Sequence, residues 1–211
     1  MDMLNPELFV AYLIATTVLI LMPGPIVTLV VANSLAYGAR TGLATVAGAS
    51  SGNALLVAAG ALGLTTVLAL VADVFQWVRW AGVAYLVYLG IRHWQAVFRP
   101  PAAAVARPMP SAHGVFWQGV LVAITNPKTI LFYAAFFPQF LDTTLPVAPQ
   151  LACMSVAFVV IATTFDSGYA VLAGRLRAFF AEGRGARWRN GITGTLLIGT
   201  GLGLALARRN P

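Results

Sequence analysis

Long apolar runs separated by short polar segments dominate the chain. Each run is close to the roughly 20 residues that a helix needs to cross a hydrocarbon core about 30 Å thick. The six runs are Leu8–Val31, Leu43–Val71, Val74–Ile91, Gly114–Phe140, Leu151–Leu172 and Gly191–Ala207. The pattern therefore predicts an all-α membrane protein with about six transmembrane helices, of which the sixth is short.

A stretch rich in proline and alanine lies between the third and fourth runs. It predicts a linker over residues 98–113, with one three-helix transmembrane half at 1–97 and another at 114–211. If the second half repeats the first, an odd number of spans per half makes the repeat inverted, as in many secondary transporters. We therefore expect an inverted 3+3 repeat.

Composition supports a membrane protein, because 59% of the 211 residues are hydrophobic, 9% are charged and the mean hydropathy is +0.83. The net charge of +7 comes from arginines that fall between apolar runs. Most of them flank alternate loops, namely Arg40, then Arg92, Arg99 and Arg107, then Arg175, Arg177, Arg184, Arg187 and Arg189. This placement is typical of cytoplasmic loops and argues against nucleic-acid binding.

The arginine asymmetry also predicts an orientation. The linker from Arg92 to His113 and the segment from Gly174 to Asn190 should be cytoplasmic, and both termini should be periplasmic. Arg208 and Arg209 lie on the unfavoured side in this orientation.

Two helix-breaking motifs occupy comparable places in the two halves. Pro23-Gly24-Pro25 interrupts the first run and Asn126-Pro127 interrupts the fourth. Proline removes a backbone donor and clashes with the preceding turn. Asn126 suits an N-cap and Pro127 a first helical residue, so the helix should restart there. We expect both breaks to face the protein interior and to present free amides to a carboxylate. The alternative is a pair of ordinary proline kinks.

Two charged residues fall inside apolar runs, where each is costly. Asp166 either carries a coupling proton or faces a substrate ammonium, or else forms a structural pair with Tyr169 or a neighbouring helix. Lys128, the only lysine, either binds a substrate carboxylate or extends towards the membrane surface and positions its helix.

Other motifs favour packing over chemistry. The stretch from Gly48 to Gly52 matches G-x-S-x-G, but both histidines lie near the linker, so a serine hydrolase is not expected. Gly48 with Gly52, and Gly199 with Gly203, instead predict close helix packing. The sequence predicts no enzyme, no metal site and no cofactor.

Several motifs, in order along about two thirds of the chain, resemble the LysE/RhtB family of exporters. They are Met22-Pro23-Gly24-Pro25, the segment Gly38–Leu43 leading to Gly48 and Gly52, the segment Gly82–Arg92, Asn126-Pro127-Lys128-Thr129, and Pro138-Gln139-Phe140. The resemblance implies proton-driven efflux of an amino acid across the bacterial inner membrane, with the two proline motifs lining the site.

The resemblance also implies a substrate class. Exporters of basic amino acids in this family tend to carry acids in the second span and after the Asn-Pro motif. Here those stretches read Ser51-Gly52-Asn53 and Thr129–Tyr133, without an acid. A neutral substrate similar to threonine, homoserine or leucine is therefore favoured. The substrate-binding candidates are Pro23, Gly24, Pro25, Asn53, Asn126, Pro127 and Lys128, with Asp166 for proton coupling.

An ion or divalent-metal permease of the same broad superfamily is the alternative function. The expected partners are a small amino-acid substrate and the lipid bilayer. The sequence does not decide the oligomeric state, and a homodimer stays open.

Overall fold

A computed structural model describes residues 4–95, 97, 98, 110–133, 137–177 and 184–206, with only the backbone described for 60–79 and some other helical positions. The described chain is helical, as predicted. Its helices are α1 (Pro6–Leu21), α2 (Pro25–Tyr37), α3 (Ala39–Gln95), α4 (Ala112–Ile124), α5 (Pro127–Leu131), α6 (Val147–Leu176) and α7 (Arg184–Leu206). Most of the linker lies outside the described residues.

The first predicted span is broken at the expected place. Helix α1 ends at Leu21, and α2 restarts with Gly24 as its N-cap and Pro25 as its first residue. The two helix axes differ by 49°. Because Pro25 has no amide hydrogen to lose from the helical ladder, its position favours the restart. The predicted break of the first span is confirmed.

The fourth span is broken as well. Helix α4 ends at Ile124, and the side chain of Asn126 caps α5 by accepting a hydrogen bond from the Lys128 amide at 3.2 Å. Pro127 is the first residue of α5. The N-cap and restart predicted from these two residues are confirmed. Helix α5 covers only five residues, and a short 3₁₀ helix, Phe137–Phe140, closes this part of the chain.

The second and third predicted spans form one helix, α3, which continues without a break through residues 72 and 73. A straight helix would place Val46 and Leu89 about 64 Å apart. Yet Leu89 packs against the hydrophobic cluster that contains Val46 and Ala49. The chain therefore reverses direction within α3, although no non-helical residue marks the turn.

Within the described ranges, three segments are long and apolar enough to cross a membrane. They are Ala39–Ala59, Val147–Leu176 and the bent pair α1 and α2. Helix α6 extends the predicted fifth span by about a turn at each end. Helix α7 begins at Arg184, before the predicted sixth span. The predicted span started later because the first turns of α7 are polar.

Small residues allow the closest helix contacts. A Cβ on Gly48 would collide with the Phe116 backbone in α4, and one on Gly52 would lie 2.8 Å from the Ala123 Cβ. The close packing predicted for this pair is confirmed. No described heavy atom lies within 4 Å of a Cβ placed on Gly199, and the environment of Gly203 lies outside the described residues, so the close packing predicted for that pair stays a prediction. Helix α7 meets α3 through Gly194, whose added Cβ would lie 2.9 Å from the Gly90 carbonyl oxygen.

Two hydrophobic clusters divide the bundle. The first joins α2, α3, α4 and α7 around Leu29, Val30 and Leu197. The second is aromatic and packs Tyr12 of α1 against Phe137 and, through Phe132, against Phe158 of α6. The breaks in the first and fourth spans lie between these clusters, with Asn126 buried at the fourth-span break and Met22 and Pro23 exposed at the first.

Candidate functional site

A cavity of about 20 Å³ lies where the two broken spans meet α3 and α6. Its polar lining consists of Gly24, Asn53, Asn126, Lys128, Thr129 and Asp166. Its apolar wall consists of Leu19, Ile20, Ile26, Val27, Phe158 and Ala162. The cavity thus brings together polar residues that are far apart in the sequence.

Most of the residues predicted for the site share this cavity, namely Gly24, Asn53, Asn126, Lys128 and Asp166. Pro23 and Pro25 do not line it, and Pro23 is exposed on the outside of the bundle. The side chain of Pro127 lies outside the described residues. Only part of the first break therefore faces inward, and its prolines set the break without contributing to the lining.

At the C-terminal end of α1, next to the break, two side chains bind backbone carbonyls. The Lys128 ammonium donates hydrogen bonds to the carbonyl oxygens of Leu19 at 3.0 Å and Met22 at 2.8 Å. The Tyr169 hydroxyl donates to the carbonyl oxygen of Leu21 at 3.3 Å. A carbonyl without a partner in a membrane interior costs several kcal/mol, so these contacts make the break tolerable. They also fix the Lys128 ammonium at the C-terminal end of α1, where the helix dipole favours a positive charge.

The two helix restarts differ in how their first amides are satisfied. At α5, the Asn126 side chain occupies the Lys128 amide and also donates to the Thr129 hydroxyl at 3.0 Å. At α2, no side chain of the described chain caps the helix. The first amides of a helix have no intrahelical partner, so Ile26 and Val27 bring free donors and a partial positive charge to the cavity.

Asp166 lies inside α6 with 5% of its surface exposed. Its carboxylate interacts electrostatically with the Lys128 ammonium, which lines the same cavity. The Tyr169 hydroxyl donates its hydrogen bond to the Leu21 carbonyl at the end of α1. It is therefore not paired with Asp166, which was one of the structural roles considered for that carboxylate. The site therefore combines a buried carboxylate, a fixed ammonium and an uncapped helix N-terminus.

Thr129 and the apolar wall were not predicted from the sequence. Thr129 is 2% exposed, and its hydroxyl accepts the hydrogen bond from Asn126 that was just described. Its position three residues after the N-cap was the available signal, because that spacing brings two side chains to one face of a helix turn. Phe158 and Ala162 precede Asp166 by two turns and one turn of α6, so they belong to the same helix face.

Broken spans around a buried cavity with both signs of charge define a class, the helical membrane transporters with discontinuous helices. The chain belongs to the LysE type translocator family, whose model matches residues 17–208. The match covers both breaks and every residue that lines the cavity.

Similar proteins match over nearly their whole length. The chain is 33% identical over 202 residues to a homoserine/homoserine lactone efflux protein of Salmonella typhimurium, covering 96% of this chain and 98% of that protein. It is 29% identical to a leucine efflux protein of Salmonella choleraesuis, covering 92% of each. A membrane protein of Vibrio cholerae is 31% identical over 202 residues. No solved structure matches the chain.

Proposed function

We propose that this protein exports a neutral amino acid across the bacterial inner membrane in exchange for protons. The observation that carries the proposal is the presence of the Lys128 ammonium and the Asp166 carboxylate on one buried cavity. An amino acid carries the complementary pair of charges on adjacent carbons. The efflux relatives named for homoserine and leucine support the same substrate class.

The substrate carboxylate is assigned to Lys128 and the start of α2. An ammonium has three donors, and two of those on Lys128 are used by the carbonyls of Leu19 and Met22. The third is free for a carboxylate oxygen. Gly24, the N-cap of α2, lies beside the Lys128 ammonium, and the amides of Ile26 and Val27 in the next two positions supply further donors.

The substrate ammonium is assigned to Asp166, which is the only acid among the described cavity-lining residues. A second cationic group on the substrate would have no countercharge, and burying an unpaired charge is costly. A neutral side chain is therefore favoured over that of lysine or arginine. The ion or divalent-metal permease considered from the sequence is favoured by neither the family nor the named relatives.

Exchange with protons follows from one carboxylate serving two ligands. Asp166 binds either the substrate ammonium or a proton, so release of one on the far side allows the other to return. The cavity volume is that of about one water molecule. An amino acid must therefore enter and leave through a rearrangement of the surrounding helices, and the broken spans provide the segments that move.

The direct test is an efflux assay in cells fed dipeptides that contain homoserine, threonine or leucine. Cells that produce the protein should excrete at least one of the liberated amino acids faster than cells without it. Proteoliposomes should show the same efflux, accelerated by an inwardly directed proton gradient. Accumulation that is the same with and without the protein, for every neutral amino acid tried, would contradict the proposed function.

The orientation has its own test in cysteine labelling. In a Cys153→Ala background, Gln95→Cys should resist a membrane-impermeant maleimide applied to intact cells, because it adjoins the cytoplasmic linker. Thr143→Cys, in the opposite loop, should react. Both positions are exposed, so the reactivity reports the side of the membrane. Reversed reactivity would invert the orientation.

A further inference from the structure

We propose that Asn53 recognises the substrate side chain and that this side chain carries a hydroxyl group. The inference rests on the proposed function and makes it more specific. It concerns the part of the cavity that neither Lys128 nor Asp166 occupies, and it separates hydroxylated amino acids from purely apolar ones such as leucine.

The Asn53 amide lines the cavity, is 2% exposed, and its Oδ1 atom has no hydrogen-bond partner among the described residues. Other buried amides are satisfied. Asn33 donates to the Thr45 hydroxyl at 2.9 Å, Asn126 caps α5, and Gln150 both accepts from and donates to the backbone of Asp142. A buried amide that lacks a partner is unfavourable unless a ligand satisfies it.

The packing of α3 against α6 separates Asn53 from Asp166 along the length of the bundle. Helices α3 and α6 run antiparallel, because Gly42 meets Ala170 while the Ser50 hydroxyl bonds to that of Thr163 at 2.7 Å. Asp166 and Asn53 each lie three residues from the Ser50–Thr163 contact, in opposite directions along the bundle. The two are therefore about 9 Å apart along the helix axes.

That separation fits an amino acid whose side chain ends in a hydroxyl. An extended chain of two side-chain carbons places the hydroxyl oxygen roughly 5 Å from the ammonium nitrogen. Hydrogen bonds of about 2.8 Å at each end extend the reach to about 10 Å. With the ammonium on Asp166, the hydroxyl would then reach the Asn53 amide.

The chemistry at Asn53 also favours a hydroxyl. A hydroxyl both donates and accepts, so it pairs with either end of an amide. Phe158 and Ala162 of α6 lie at the same depth and form an apolar wall, and among the described residues that line the cavity only Asn53 has a buried side-chain polar atom, Oδ1, without a partner. A side chain ending in a methyl group would fill the same space but leave the Asn53 amide without a hydrogen-bond partner. The unpaired amide is what disfavours binding of such a side chain.

The test compares two ligands of matched shape, homoserine and norvaline, in which a methyl group replaces the hydroxyl. Purified wild-type protein should bind homoserine about tenfold to a hundredfold more tightly, as expected for one hydrogen bond to a buried amide. Asn53→Leu should remove or reverse this preference. Ser51→Ala serves as the control, because Ser51 does not line the cavity and its hydroxyl bonds to the Ala47 carbonyl, and it should leave the preference unchanged.

Equal affinities of the wild-type protein for both ligands would overturn the role of Asn53 while leaving amino-acid export standing. A fall in affinity for both ligands by the same factor in Asn53→Leu would also overturn it. Binding of neither ligand by the wild-type protein would overturn this inference and count against the proposed function as well. The comparison of homoserine with norvaline uses wild-type protein alone. It therefore tests the inference even if Asn53→Leu folds poorly.

Discussion

Asp166→Asn should abolish proton-coupled efflux while the protein still inserts in the membrane. The variant removes the only described acid in the cavity lining and leaves the substrate ammonium without a countercharge. Removing one partner of a buried ion pair costs about 3 to 5 kcal/mol, or roughly two to three and a half powers of ten in substrate affinity. Asparagine also cannot bind and release a proton. Efflux from proteoliposomes with and without a proton gradient measures both effects.

Asp142→Asn is the matched control for this prediction. Hydrogen bonds from the Asn5 side chain, at 2.9 Å, and from Thr144 hold the pKa of the Asp142 carboxyl below its usual range. It therefore stays ionised near neutral pH, and it lies in the loop before α6, away from the cavity. Its neutralisation should leave efflux close to that of the wild type. Normal proton-driven efflux by Asp166→Asn would show that this carboxylate has a structural role.

Lys128→Met should also eliminate efflux, and it should lower stability as well. Methionine cannot donate to the carbonyls of Leu19 and Met22, which the Lys128 ammonium binds at 3.0 and 2.8 Å. The Leu19 carbonyl keeps its hydrogen bond from the Met22 amide at 3.2 Å, but the Met22 carbonyl loses its described partner, at a cost of roughly 1 to 3 kcal/mol. The substrate carboxylate loses its ammonium partner at the same time. Thermal unfolding in detergent and efflux in proteoliposomes measure the two consequences separately.

The double variant Lys128→Met with Asp166→Asn tests whether the two charges act together. It leaves no unpaired charge in the cavity, so its loss of stability should be smaller than the sum of the two single losses. A coupling of about 0.5 to 3 kcal/mol is typical of groups that interact directly. Efflux should remain absent, because both substrate contacts are gone. Strictly additive stability losses would argue that Lys128 and Asp166 are energetically independent.

The local features of the fold were predictable from the sequence. The breaks at Pro23-Gly24-Pro25 and Asn126-Pro127 follow from the missing proline amide, which no distant contact can replace. The cap at Asn126 follows equally from its own side chain. Asp166 could be singled out because an acid in an apolar span is costly wherever the helix packs.

Features that depend on distant parts of the chain could not be predicted in this way. The partners of Lys128 lie on α1, more than a hundred residues away, and nothing near Lys128 in the sequence indicates them. The same applies to Gly90 and Gly194, which meet only when α3 and α7 pack. The sequence predicted the reversal within α3 as a turn between two spans, but not that the helix continues through it, because a polar break in the apolar pattern indicates a turn without specifying its backbone conformation.

The most direct test of the zwitterion site is a set of binding affinities for three related ligands. They are the exported amino acid, its decarboxylated amine and its deaminated acid, each measured with wild-type protein, Lys128→Met and Asp166→Asn. The wild type should bind the amino acid most tightly. Lys128→Met should lose the preference for the amino acid over the amine, and Asp166→Asn should lose the preference for the amino acid over the acid. If both variants retain both preferences, the ammonium and carboxylate of this cavity do not bind the substrate.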